Sequence, residues 1–121
     1  MSIVEDLIAN ATADVDLLRL RDRQGDVFGT LRDVDFVFSS VTEKQAGVVA
    51  SFLTEYQYVA TASVQEVAGE FRVTATLNMP TEQNVLGCVS GFMQCIAALY
   101  SVTYDGWGAN IEDTDHSSGK A

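Results

Sequence analysis

The sequence is poor in the side chains that carry most enzyme chemistry. It has one histidine, His116, close to its end. A Cys–His or Ser–His nucleophile pair would have to be completed from that last stretch. One histidine and two cysteines are too few ligands for a zinc site. Cys88 and Cys95 have no positive neighbour to lower a thiol pKa, and they lie seven residues apart in one helical pattern. That spacing separates them by about 10 Å along a helix axis, too far to bond to each other. They read as buried, reduced thiols. No Walker loop occurs, and no Gly-x-Gly-x-x-Gly opens a helix, so no cofactor is expected. Glu112, Asp113 and Asp115 lack the glycine-bearing loop of a calcium hand and read as a solvated acidic end.

Positive charge is equally scarce. Seven Lys and Arg face 17 Asp and Glu, a net charge of −10. Phosphates would be repelled, which disfavours direct contact with nucleic acid or an anionic membrane. A basic protein partner is favoured, because opposite fields speed encounter; the plainer reading is that the charge keeps the protein soluble. Arg19, Arg21 and Arg23 cluster, but Asp16, Asp22 and Asp26 surround them, and cations there suit a helix C-terminus better than a phosphate. No window approaches the roughly 18 apolar residues of a membrane span. The opening Met1-Ser2-Ile3-Val4-Glu5-Asp6 carries an acidic pair, not the basic start of a signal peptide. A cytoplasmic location is expected.

What is present suits one folded domain. The 121 residues are 47% hydrophobic, enough for one core but not two. Ser2 with Glu5 forms a capping box. Ile3, Val4, Leu7, Ile8, Ala11, Val15 and Leu18 follow helical spacing, so a helix is predicted over Ile3–Arg23 with Gly25 as its stop. Val34, Phe36 and Phe38 alternate with Asp33, Asp35 and Val37 as a first strand, with Asp35 facing solvent or pairing with Arg32. A helix from the Thr42-Glu43 cap to Tyr56 is expected to bury Ala46, Val49, Ala50, Leu53 and Tyr56. Tyr58–Val64 reads as a strand, and a turn at Gly69 leads to the strictly alternating strand Phe71–Met79. After Pro80, the one proline, a helix runs to Leu99 with Val85, Val89, Phe92 or Met93, Ile96 and Leu99 as its stripe. Its small face, Gly87, Cys88, Gly91 and Cys95, implies close internal packing against the sheet or the first helix; a homodimer seam is the competing reading.

The chemistry-bearing stretch is Tyr100–Asp113. Tyr100, Val102 and Tyr104 alternate as a last strand. Gly106 and Gly108 flank Trp107, the one tryptophan, and suggest a bulge over which the indole packs. Two readings stand: a buried indole closing the core, or an exposed anchor for a protein partner. The order helix, then strand–helix–strand–strand–helix–strand, predicts an α+β fold. The expected form is a ferredoxin-like βαββαβ sandwich with an extra N-terminal helix. Residues 1–113 form the expected domain and 114–121 a flexible polar tail.

Tyr104-Asp105-Gly106-Trp107-Gly108 followed by Glu112-Asp113 resembles the C-terminal signature of the RraB family, regulators of ribonuclease E activity. Gly25-Asp26, Arg32 and Val34-Asp35-Phe36 with Phe38 resemble that family's Gly-Asp turn and Arg-containing first strand, although the family often has Glu-His where Asp35-Phe36 stands. The resemblance spans about Ile3 to Asp113. It implies a bacterial, cytoplasmic, non-enzymatic regulator that binds ribonuclease E, or a related nuclease, and inhibits its RNA cleavage through protein contact. The contact surface expected on that basis is Asp105, Trp107, Glu112 and Asp113, with Asp35 beside them and Tyr104, Gly106 and Gly108 shaping it. The family's ribonuclease-regulating members carry a longer acidic C-terminal tail than the Ser117-Ser118-Gly119-Lys120-Ala121 found here. The alternative function is a small-molecule-binding regulatory domain of ferredoxin-like type, dimeric through a sheet edge or the Gly87/Gly91 face, with an apolar pocket.

Overall fold

The first helix, Ile3–Arg23, starts where Ser2 accepts from the Glu5 amide and the Glu5 side chain accepts from the Ser2 amide, the reciprocal box its sequence predicts. The computed structural model describes residues 2–110. The predicted tail over 114–121, Glu112 and Asp113 lie outside the described residues. The elements are α1 (Ile3–Arg23), β1 (Arg32–Ser40), α2 (Glu43–Glu55), β2 (Thr61–Val67), β3 (Glu70–Met79), α3 (Gln83–Tyr100) and β4 (Thr103–Gly108). The four strands form one antiparallel sheet in the order β2-β3-β1-β4.

Period-two alternation places the core. Val34, Phe36 and Phe38 of β1 and Val73 and Ala75 of β3 are fully buried, on the face covered by α2 and α3. The opposite face is polar: Asp33, Asp35, Arg72 and Asn78 are exposed on it. Cross-strand side-chain bonds run over it, from Thr76 to Asp35 (2.6 Å) and from Asn78 to Asp33 (3.2 Å). Helix α1 packs on α3.

Several sequence expectations need correction. The strand expected over Tyr58–Val64 begins at Thr61. Gln57 has a positive φ of 61°, and the amides of Tyr58 and Val59 return to the Leu53 carbonyl, so these residues close α2 before the strand can start. Ala68 and Gly69, both at positive φ, make a two-residue hairpin turn whose twist matches the strands. Tyr100 belongs to α3, and the chain leaves that helix through a left-handed Ser101. The stripe of α3 is Leu86, Ser90, Met93, Ile96 and Ala97; Leu99 is 75% exposed. A hydrophobic pattern could not include Ser90, because that serine is buried for its hydrogen bonds. Cys88 is exposed and Cys95 half-buried, rather than both buried.

Of the small face of α3, Gly87 and Gly91 lie toward α1, but loosely. An added Cβ at Gly91 would sit 3.9 Å from Leu7, and one at Gly87 would meet nothing within 4 Å. A gap of about 240 Å³ lies there, bounded by Leu7, Ala11, Val15, Leu18, Gly87 and Gly91 among others.

Candidate functional site

Strand β4 departs from simple alternation at one point. Its register against β1 slips between Val37 and Phe38, so Asp105 is the extra residue of a bulge and Gly106 adopts φ 103°. That φ strains any residue with a Cβ. The slip turns two residues three apart toward the same side. Tyr104 lies opposite Phe38 and Trp107 opposite Phe36, and both are buried. Their polar tips then meet α1 and α3.

A buried polar chain results. Asn10 Nδ2 of α1 donates to Ser90 Oγ of α3 at 3.0 Å. Ser90 Oγ and the Tyr104 hydroxyl share a hydrogen bond of 2.9 Å. Asp14, one α-helical turn beyond Asn10, is 6% exposed. Burial raises its carboxyl above the ordinary 3.8, opposed by hydrogen bonding from Ser90 and then Trp107. Burial likewise pushes the Tyr104 phenol well above its ordinary value; the Ser90 bond opposes this and the Asp14 charge adds to it. Asp14 Oδ2 and Trp107 Nε1 complete no hydrogen bond of normal geometry, although the indole is near enough to favour the charged carboxylate.

Above this chain runs a groove of about 550 Å³ between α1 and β4. Its walls include Asp6, Asp14, Gln94, Tyr104, Asp105 and Trp107, and among the described residues no Lys or Arg lines it.

A second cluster ties the end of β4 to the start of the fold. Asp26 bridges two buried guanidiniums, Arg21 Nε at 3.0 Å and Arg32 Nη1 at 2.5 Å. Arg21 Nη2 donates to the carbonyls of Ala109 (2.8 Å) and Asn110 (3.1 Å), and Arg32 Nη1 to Asn110 (3.0 Å). Arg32 Nη2 also donates to the Val27 carbonyl. The Arg21 guanidinium lies 5.2 Å from the Trp107 ring centroid, a cation–π contact. The Gly25-Asp26/Arg32 segment and the Tyr104–Gly108 segment, distant in sequence, are thus one structural unit.

The residues singled out from sequence divide accordingly. Trp107 is 8% exposed, so of its two readings the packing one describes it and the exposed anchor does not. Tyr104 is buried with it. Asp105 is exposed on the bulge, and Asp35 is exposed on β1 opposite Gly108. Asp35 pairs with Thr76 and not with Arg32, whose guanidinium turns to Asp26. Sequence reasoning missed Asp14, Ser90 and the internal role of Arg21. A signal for Asp14 existed: Leu7, Ala11, Asp14, Leu18 and Arg21 step along α1 by four and three residues, so Asp14 falls on the inward stripe.

Fold and site define a small, acidic α+β domain with a groove along its edge strand and a buried ion cluster fixing the exit of that strand. The chain belongs to the RraB family, regulator of ribonuclease activity B, whose family model matches residues 11–109. The match spans both segments that the Arg21–Asp26–Arg32 cluster joins. A search of curated proteins finds no match.

Proposed function

We propose that this protein binds ribonuclease E and inhibits its cleavage of RNA, as a non-enzymatic, cytoplasmic regulator that touches the nuclease and not the RNA. Membership of the RraB family carries the reading. The charge supports it. Among the described residues the buried acidic and basic side chains are Asp14, Asp26, Arg21 and Arg32, two of each kind, so burial does not account for the net −10. Such a surface attracts a basic protein segment and repels RNA. No helix among the described residues is long and apolar enough to cross a membrane. We also infer that the βαββαβ core is ferredoxin-like, on the strength of its strand order.

The contact surface proposed is Asp35 on β1 and Asp105 on the neighbouring edge strand β4, together with Glu112 and Asp113, which lie outside the described residues. Gly106 and Gly108 leave this edge without Cβ bulk, and buried Tyr104 and Trp107 hold the bulge that presents Asp105. An open groove with three aspartates on its walls suits a protein partner better than the enclosed apolar pocket of a small-molecule sensor.

The test is capture of purified ribonuclease E at two salt concentrations. The wild type binds, and more weakly as salt rises. Asp35→Lys/Asp105→Lys, and separately Glu112→Lys/Asp113→Lys, lower affinity by about tenfold or more. Binding indifferent to both salt and charge reversal would sink this mechanism.

A further inference from the structure

We propose that the groove between α1 and β4 receives an arginine side chain from a basic segment of the protein partner, with Asp14 as its counter-ion. The inference rests on the reading above that the partner is a basic protein, and it assigns the site on this chain where one such residue enters.

Three observations carry it. Asp14 Oδ2 is a buried acceptor that completes no hydrogen bond of normal geometry, and Asp14 lines the groove. Such an acceptor is uncommon in a finished interior, where buried polar groups find partners. The charged lining is acidic, Asp6, Asp14 and Asp105 with no base among the described residues, so the groove attracts a cation. Among the described residues no three His, Cys, Asp or Glu gather to hold a metal ion, which leaves an organic cation as the fitting occupant.

The walls choose among organic cations. Tyr104 and Trp107, though largely buried, both line the groove with Asp14, and an aromatic lining beside a carboxylate favours a planar guanidinium, which donates from a fixed fork, over a compact ammonium. The Arg21 guanidinium already lies over the Trp107 ring on the ion-cluster side. A volume of about 550 Å³ takes one long side chain. The groove is open along α1 from Asp6 to Leu17, so the backbone that carries the arginine stays outside.

Trp107 is the one tryptophan of the 121 residues, so this chain has a single indole N–H resonance, and that resonance reports on the groove. The probe is a short arginine–glycine repeat peptide, with the neutral citrulline version as control and N-acetyl-arginine amide as the free-cation arm. The peptide is expected to shift the indole resonance saturably and the citrulline peptide to leave it in place. Asp14→Asn should weaken peptide binding by about tenfold or more, the loss typical when a buried counter-charge is removed. Ala13→Phe, at an exposed position on the groove wall, should block binding, and it decides the matter if Asp14→Asn does not fold. An unmoved indole at saturating peptide, or wild-type affinity in both folded variants, overturns the proposal. Equal affinity for N-acetyl-arginine amide and the peptide overturns the assignment to a partner's side chain. The readout contains no nuclease. A positive result therefore stands even if ribonuclease E is not the partner, and a negative one leaves the family's activity untouched.

Discussion

At Asp14 burial and hydrogen bonding pull the carboxyl in opposite directions, and burial prevails. The native protein holds this proton to higher pH than the unfolded chain does. Between the ordinary 3.8 and the raised native value, the native state binds more protons, so stability falls as pH rises. Above that window the full penalty of a buried charge persists. Asp14→Asn removes the penalty. The difference in urea midpoint between variant and wild type should therefore shift in the variant's favour as pH rises from about 3.5, then level off once Asp14 is ionised. A difference that stays constant from about pH 3 to pH 7 would show that Asp14 is as easily ionised when folded as when unfolded.

At the scale of elements, the ion cluster is what joins α1, the following loop, β1 and the exit of β4. Among the described residues Asp26 is the one carboxylate bonded to both Arg21 and Arg32. Removing it leaves two buried guanidiniums whose remaining partners among those residues are backbone carbonyls and, for Arg21, the Trp107 ring. Asp26→Asn should cost about 3–5 kcal/mol, the usual loss when one partner of a buried ion pair is deleted. Urea unfolding followed by the fluorescence of Trp107, which stacks on Arg21, reads this directly; a cost under about 1 kcal/mol would place the cluster with ordinary surface pairs. These joints also mark where sequence reading stops. The limits of α1, the strand Phe71–Met79 and the turn at Gly69 follow from caps, alternation and glycine, all local signals. The Tyr100-Val102-Tyr104 alternation misled, because Tyr100 finishes a helix and a bulge resets the period before Trp107. Arg21 and Asp26 read locally as helix-end charges. Their pairing depends on tertiary contacts with Ala109 and Asn110 that no local pattern encodes.

For the whole molecule, the sheet leaves one polar face open and turns its acidic edge strand β4 toward solvent beside the groove. A basic nuclease segment could meet Asp35 and Asp105 on the sheet and place an arginine against Asp14 without any change in the core. The most direct measurement is cleavage of a labelled RNA by purified ribonuclease E as the full-length protein is titrated in. The account predicts that cleavage slows to a plateau near one equivalent when the nuclease is above the dissociation constant, that the plateau is independent of RNA length, and that added salt weakens the effect. An unchanged cleavage rate at excess protein and low salt would contradict it.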